Sequence, residues 1–304
     1  MNRKRLIMCT STGCIDYAPV RYKQHNIDII RIHLSFKGKD YTEGRDLDPA
    51  LFYDQLESLE DPKNNLPVTS MPTREEIEAH FMRAYSNGFN EIIVISLSSY
   101  LSGTYALLKE MARDYSDRMN ITVIDSKTTC FNEGLLAIKA SEMVEDGIPT
   151  EEIVKELNWM IERQEFIGVD GDLDYLIYNG RLKGGKAFIG KLLNVCPLVH
   201  FTHEGELVSL ENAKTRKKAL NDLCEEIKRI IGDRSSDDYL LWHVFTGRSV
   251  LEELVEIEEK YGIKTNHEDV IMSPVSGCHN GPWFAGYGLA FLRRGDECLA
   301  NYIN

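Results

Sequence analysis

Hydroxyl side chains are concentrated in short turns of this 304-residue sequence, each next to an apolar run. One turn contains Thr69 and Ser70, a second runs from Ser98 to Thr104, and a third is Thr10-Ser11-Thr12. Hydroxyls and unpaired N–H groups at helix starts bind anions. A single Ser or Thr before a helix is most often an ordinary N-cap, but several such turns predict a shared anion pocket. The residues expected to line it are Ser70, Ser98, Ser99, Gly103 and Thr104.

A histidine between glycines is the second candidate. His279 lies in Gly277-Cys-His-Asn-Gly281, followed by Pro282 and Trp283. Its imidazole can donate a hydrogen bond to a carboxylate in either charge state, although a purely structural turn histidine is the commoner case. The other seven histidines form no i, i+4 pair and no His-Glu-x-x-His motif, so no metal site is predicted.

A basic stretch stands out in an acidic chain. Between residues 181 and 218 there are eight Lys or Arg side chains against three Glu, whereas the whole chain has a net charge of −13. The basic residues are Arg181, Lys183, Lys186, Lys191, Lys214, Arg216, Lys217 and Lys218. Part of this excess belongs to a solvated helix face, and the rest suggests a docking surface for an acidic partner or a phosphate.

The elements that must position these residues alternate along the chain. Short apolar runs predict strands at Ile92–Leu97, Ile121–Ile124, Pro197–Phe201, Leu240–Phe245 and Val270–Met272, and the alternating run Ile30–Phe36 predicts a strand with one wet face. Helices are expected at Thr104–Tyr115, Asn132–Glu145 and Thr150–Glu165, and from the capping box Thr73-Arg-Glu-Glu76 onward. This alternation indicates an α/β fold. We expect an N-terminal α/β lobe over residues 1–165 and a C-terminal α/β lobe over residues 166–304.

Composition excludes several classes of protein. Hydrophobic residues make up 43% and charged residues 27%, which is ordinary globular usage, and the net negative charge disfavours nucleic acid as a partner. The seven cysteines are scattered and never spaced Cys-x-x-Cys, so neither a disulfide framework nor a zinc ribbon is indicated. No apolar run is long enough for a signal peptide or a membrane span, so we expect a cytoplasmic protein without stable membrane insertion.

Several motifs together resemble the DegV family of bacteria. They are Thr69-Ser-Met-Pro72, Ser98-Ser-Tyr-Leu-Ser-Gly-Thr-Tyr105, Val123-Ile-Asp-Ser126, Asn179-Gly-Arg-Leu182 and His279-Asn-Gly-Pro282, in family order. The resemblance implies a two-lobe fold with a mostly parallel N-terminal sheet, flanking helices and one long-chain fatty acid between the lobes. It also implies a subunit of a fatty acid kinase that presents the carboxylate to a separate ATP-dependent kinase subunit. The binding subunit would perform no catalysis itself and would need no cofactor.

The same resemblance implies roles for individual residues. Thr69, Ser102 and His279 match the positions that bind the fatty acid carboxylate. Arg181, Lys214, Arg216 and Lys217 match positions that face the kinase. Two departures have consequences: Cys9-Thr-Ser-Thr12 lacks the acid of the family's usual Thr-Asp-Ser-Thr, and Trp283 replaces a glycine. We expect the Trp283 indole to line the pocket and to narrow it.

Two other functions are compatible with the same residues. Ser102 and His279 could serve as nucleophile and base of a lipid hydrolase or acyltransferase, although no Gly-x-Ser-x-Gly elbow is present and no third acid can be named. Alternatively, the pocket could hold a different apolar carboxylate or another anion.

Overall fold

A computed structural model describes residues 4–60, 65–171, 173–182 and 195–293. The strands are β1 (Arg5–Thr10), β2 (Ile27–Ile30), β3 (His33–Phe36), β4 (Lys39–Thr42), β5 (Val68–Ser70), β6 (Glu91–Ser96), β7 (Asn120–Asp125), β8 (Gln164–Asp170), β9 (Cys196–Phe201), β10 (Leu207–Ala213), β11 (Tyr239–Phe245), β12 (Val270–Ile271) and β13 (Phe284–Phe291). The helices are α1 (Pro49–Glu57), α2 (Arg74–Ser86), α3 (Thr104–Asp114), α4 (Cys130–Glu145), α5 (Thr150–Ile161), α6 (Leu173–Tyr178), α7 (Arg216–Ile231), α8 (Arg248–Tyr261) and α9 (Pro274–Asn280).

The N-terminal lobe is built on a four-stranded parallel sheet in the order β2-β1-β6-β7. Its central strands are continuously apolar because helices cover both faces. In a parallel sheet all carboxyl ends lie at one edge, so the turns after β1, β6 and β7 meet there. These are the hydroxyl-rich turns singled out in the sequence, and the expected α/β fold with a parallel N-terminal sheet is confirmed.

A small antiparallel sheet, β4-β3-β5, lies beside the parallel one and carries Thr69 opposite Leu34. The single strand predicted at Ile30–Phe36 is wrong, since the chain leaves the parallel sheet at Ile30 and enters the small sheet at His33. Side chains stabilise this change of direction. The Ile32 N–H donates to Ser11 Oγ at 3.1 Å, and the Arg31 guanidinium binds the Asp16 carboxylate.

The C-terminal lobe is a six-stranded mixed sheet in the order β10-β9-β8-β13-β11-β12. Among its described strands, only β11 and β12 pair in parallel. Helix α5 ends at Ile161, earlier than predicted, because Gln164 and Glu165 already pair with β13 as part of β8. The boundary proposed near residue 165 therefore lies at the first residues of this sheet.

The two lobes share one apolar interior. Phe131 of α4 packs edge-on against Trp242 of β11, with ring centroids 5.4 Å apart. Tyr22 and His267 complete this group of rings, and all four side chains are buried. None of the described helices is long and apolar enough to cross a bilayer.

Candidate functional site

A cavity of about 180 Å³ lies where the hydroxyl turns of the N-terminal lobe face β8, β9 and α9 of the C-terminal lobe. Its polar lining is Thr12, Thr69, Ser70, Ser102, Thr129, Arg181, Ser276, His279 and Asn280. Its apolar lining is Ile32, Met71, Leu97, Leu101, Phe166, Leu176, Phe201, Leu207 and Val275. The cavity thus combines hydrogen-bonding groups with aliphatic and aromatic walls, as sites for amphiphilic ligands do.

Thr69 and His279 are brought together from opposite parts of the chain. Thr69 Oγ1 and His279 Nε2 lie 3.1 Å apart, while the buried His279 Nδ1 has no hydrogen-bond partner among the described residues. Burial lowers the pKa of His279 to about 3, and the nearby Arg181 charge acts in the same direction. The imidazole is therefore neutral near pH 7, with one N–H to donate.

His279 lies on a helix, whereas the sequence predicts a turn at this position. Ser273 caps the start of α9 by accepting from the Ser276 N–H at 3.2 Å, and Pro274 occupies the first helical position. Gly281, at a φ of 73°, ends the helix. His279 thus projects from the last turn of a short, capped helix.

Ser102 and Gly103 also line the cavity, and Gly103 is exposed. The Ser102 hydroxyl lies 2.8 Å from Thr104 Oγ1 and accepts from the Thr104 N–H at 3.2 Å. Thr104 is fully buried behind Ser102 and does not reach the cavity, contrary to the prediction. Its part is to orient Ser102.

Two further serines expected in the lining lie elsewhere. Ser98 is buried, and its hydroxyl donates to the Gly205 carbonyl at 2.6 Å, which ties the β6 turn to the turn between β9 and β10. Ser99 is exposed, and its N–H donates to Asp125 at 3.1 Å. Ser98 therefore links the two lobes, and Ser99 stabilises a neighbouring turn.

Trp283 does not line the cavity, contrary to the prediction. It lies against Gly171, with its Nε1 3.4 Å from Glu253 and the Arg216 guanidinium 4.4 Å above its ring. Its apolar neighbours belong to the core under α7 and α8, on the other face of the C-terminal sheet. Successive side chains of an extended chain point to opposite faces. Phe284, the first residue of β13, points to the cavity side of the sheet, so Trp283 before it points away from the cavity.

Arg181 lies in the cavity wall, whereas we expected it only on the docking face. Its Nε donates to the Leu101 carbonyl at 3.4 Å, and it also binds the Asn179 carbonyl. Partial burial lowers the pKa of this guanidinium, which still leaves it charged. Lys214, Arg216 and Lys217 are exposed at the start of α7, while Lys183, Lys186 and Lys191 lie outside the described residues.

A buried carboxylate lies beneath the cavity floor, and the sequence patterns did not predict it. Glu133 of α4 accepts from Thr12 Oγ1 at 2.7 Å and also binds the Thr10 hydroxyl. Burial raises its pKa to about 8. The carboxyl group that binds these two threonines thus comes from a helix that starts 120 residues after Thr10 in the chain.

A second buried carboxylate connects the lobes. Glu43 accepts from Ser11 Oγ at 2.7 Å and from the Val275 N–H, the first turn of α9, at 2.9 Å. Burial raises its pKa to about 7. Glu43 therefore fixes the start of the helix that carries His279. Among the described residues no group of three or more His, Cys, Asp or Glu is arranged to hold a metal ion.

Comparison with known proteins identifies the family. The family model described as "Uncharacterised protein, DegV family" matches residues 6–291. The chain belongs to the DegV family. Relatives include a DegV domain-containing protein of Listeria innocua, 31% identical over 80% of this chain and 83% of that protein. Another, from Staphylococcus aureus, is 30% identical over 96% of this chain and 99% of that protein.

Solved structures of DegV proteins share this fold. The fatty acid binding DegV family protein of Streptococcus agalactiae superimposes with a TM-score of 0.83 at 26% identity, covering 96% of this chain and 100% of that one. DegV of Bacillus subtilis, described as a fatty acid binding protein, gives 0.78 at 30% identity over 95% and 100%. A stearic acid-binding protein of Eubacterium ventriosum gives 0.79 at 25% identity over 95% and 98%. The two-lobe DegV fold expected from the sequence is confirmed.

Proposed function

We propose that this DegV-family protein binds one long-chain fatty acid in the cavity between its lobes. The observation that carries the proposal is the pairing of Thr69 with His279 at the wall of a largely apolar cavity. The Thr69 hydroxyl, the Ser102 hydroxyl and the His279 imidazole offer hydrogen bonds to a carboxylate, and Arg181 offers a positive charge. The fatty acids named for the Streptococcus and Eubacterium structures support the same ligand class.

Most of the affinity would come from the acyl tail. Burying one methylene contributes about 0.8 kcal/mol, so fourteen methylenes contribute roughly 11 kcal/mol before the cost of association. The head group then needs mainly to be oriented. Neutral hydroxyls and a neutral imidazole can do this, and the Arg181 guanidinium already binds two backbone carbonyls. The carboxylate is then not enclosed in a rigid ion pair and stays available to a second protein.

We further propose that the protein is a carrier and not a catalyst by itself. A serine hydrolase needs its base hydrogen-bonded to the serine and a third group behind the base. Here the Ser102 hydroxyl bonds Thr104, and His279 bonds Thr69. A carrier of this kind would present the carboxylate to an ATP-dependent kinase subunit that forms acyl phosphate. We propose that it does so in the cytoplasm, where ATP is present.

The head-group assignment is tested with the double variant Thr69→Ala/His279→Ala. Each lost hydrogen bond to a charged group weakens binding by about 1.5–3 kcal/mol, so the fatty acid Kd should rise at least tenfold. Isothermal titration of the delipidated protein with stearate measures it. Ser99→Ala, in the exposed turn beside the cavity, is the matched control and should bind as wild type. An unchanged Kd in the double variant would refute the assignment.

The carrier assignment is tested on the same preparation. Purified protein incubated with a long-chain fatty acyl ester should release no product above the level of a Ser102→Ala variant. That variant should also bind stearate more weakly than wild type. Ester turnover that disappears in Ser102→Ala while binding persists would instead identify a hydrolase or acyltransferase.

The kinase partner is proposed to dock on the basic start of α7. Lys214, Arg216 and Lys217 are exposed there, on a chain that is acidic overall. Reversing Lys214 and Lys217 to Glu should slow kinase-dependent acyl phosphate formation by about tenfold or more while leaving the stearate Kd unchanged, because complementary charge mainly steers association. The corresponding control is Lys264→Glu, an exposed lysine after α8. Equal rates for all three proteins would reject this docking surface.

A further inference from the structure

A second cavity lies directly behind the first one. Its volume is about 240 Å³, and among the described residues it shares two with the lining of the proposed fatty acid cavity, Phe166 and Phe201. None of the proposed head-group residues, Thr69, Ser102 or His279, lines it. The two phenyl rings therefore form the partition between the cavities.

The partition is an edge-on aromatic pair. The ring centroids of Phe166 on β8 and Phe201 on β9 are 5.5 Å apart, with an angle of 65° between the rings. Phe166 is also stacked on Phe284 of β13 at 5.5 Å and 20°, so it is held from behind. Phe201 is the last residue of β9 and lies opposite Leu207, which lines the first cavity as well. Both rings are almost completely buried.

The chemistry of the second cavity contrasts with that of the first. Apart from the two rings, Ile161 is the one apolar lining residue within the part of the chain that the structure describes. The rest of the lining is polar or charged and includes Lys127, Gln164, Glu165, His200, His203 and Glu204. A hydrocarbon chain that entered it would desolvate these groups without offering them hydrogen bonds, which is unfavourable.

We propose that the Phe166–Phe201 pair is the stop that sets the acyl chain length this protein accepts. This inference rests on the proposed fatty acid function and adds its specificity. A chain that ends at the rings has its tail against the apolar walls of the first cavity, whereas a longer chain must displace a ring and then enter the polar cavity. The steric barrier at the rings and the lack of further apolar burial beyond them both disfavour the longer chain.

The turn behind Phe201 keeps this wall in place. In the β9–β10 turn the Thr202 N–H donates to the Glu206 carbonyl at 2.9 Å, and Ser98 of the other lobe donates to the Gly205 carbonyl at 2.6 Å. An added Cβ at Gly205 would lie 2.9 Å from the Lys127 Cα, so the turn sits close against the N-terminal lobe. The Phe201 ring is thereby presented by a strand end that is hydrogen-bonded to both lobes.

The test is competitive loading followed by native mass spectrometry. Delipidated wild type, Phe201→Leu and Phe201→Trp are each incubated with an equimolar mixture of straight-chain saturated fatty acids, and the masses of the bound acids are compared. We expect the distribution to shift to longer chains in Phe201→Leu and to shorter chains in Phe201→Trp, with total occupancy preserved. Phe166→Leu should act like Phe201→Leu, and thermal unfolding confirms that each variant is folded.

Ile161→Ala is the matched control, since Ile161 lines only the second cavity. It should bind the wild-type distribution of chains. Wild-type distributions in all the Phe166 and Phe201 variants, or an altered distribution in Ile161→Ala, would overturn the proposed stop. Failure of the wild-type protein to take up any of the fatty acids is a different result, and would refute the proposed function as well.

Discussion

At the scale of single residues, the two buried carboxylates under the cavity are the most consequential groups outside its lining. Glu133 and Glu43 each accept hydrogen bonds from hydroxyls of the β1 turn. In the hydrogen bonds described above, no Lys or Arg side chain donates to either carboxylate. Because burial without a countercharge favours the neutral acid, their pKa values rise to about 8 and about 7. Folding therefore takes up protons at neutral pH.

This predicts a pH dependence of stability that can be assigned to Glu133. The native state holds a proton on Glu133 between pH 4.5 and about 8, where the unfolded chain has lost it. The free energy of unfolding should therefore fall as pH rises through this window, by at most about 1.4 kcal/mol per pH unit for one group. In Glu133→Gln this contribution is absent, so its stability relative to wild type should increase from pH 5 to pH 8 in urea unfolding.

Glu60→Gln, the same substitution at an exposed position, is the matched control and is measured at the same pH values. The buried His243, between Glu258 and Asp269, has its pKa raised to about 9 and loses its stabilising charge as pH rises toward that value. That contribution is common to all three proteins and cancels in the differences. A difference between Glu133→Gln and wild type that does not change with pH would contradict the assignment.

At the scale of elements, α9 decides where His279 points. The helix has only seven residues, so its position depends on its neighbours more than on its own hydrogen bonds. Tyr53 of α1 donates to the carbonyl of Met272 or Ser273, immediately before α9, at 3.0 and 3.1 Å. Gly277 allows this approach, since an added Cβ would lie 2.7 Å from Tyr53 Cζ.

The prediction for this contact is that Gly277→Ala weakens both stability and binding. The methyl group must displace the buried Tyr53 ring or move α9, which costs about 1–3 kcal/mol as overpacking and shifts His279 away from Thr69. Urea unfolding and stearate titration measure the two effects. Gly247→Ala is the matched control, because its Cβ would meet nothing closer than Val250 Cγ2 at 3.8 Å. Wild-type binding by a folded Gly277→Ala protein would show that α9 is positioned by other contacts.

At the scale of the whole molecule, the shared apolar interior couples the lobes. Phe131 and Trp242 come from different lobes and lie in the same core as Phe166, which walls the cavity. Separating the lobes would expose this core to water. We therefore expect one cooperative unfolding transition, which a fatty acid at a hundred times its Kd should stabilise by about 2.7 kcal/mol.

Differential scanning calorimetry of delipidated and stearate-loaded protein checks this expectation. The calorimetric and van't Hoff enthalpies should agree, and the single transition should move to higher temperature on loading. Two transitions, only one of which responds to stearate, would show that the lobes unfold independently.

The parts of this fold that were predictable from sequence are those controlled by local pattern. The capping box at Thr73 forms as predicted, with Thr73 Oγ1 accepting from the Glu76 N–H and Glu76 accepting from the Thr73 N–H. The strand at Glu91–Ser96 follows from its apolar run. The Ser273-Pro274 pair was a signal for the start of α9 that the turn interpretation overlooked.

The rest depended on which distant residues meet. The inward face of β13 belongs to Phe284 and not to Trp283, and that choice is made by pairing with β8 and β11. Arg181 is held in the cavity wall by its Nε, which donates to the Leu101 carbonyl, and Phe166 faces Phe201 through sheet register. Local periodicity carries no information about such contacts.

The hydrogen bonds from Thr10 and Thr12 to Glu133 have a consequence for the evolution of this protein. One carboxyl group, that of Glu133, binds both Thr10 and Thr12, and it comes from α4 and not from the strand itself. An acid at position 10 and an acid at position 133 would compete for one small buried space. Among close relatives of this chain the two positions should therefore change together, with a hydroxyl at 10 accompanying the acid at 133 and an acid at 10 accompanying an apolar residue at 133.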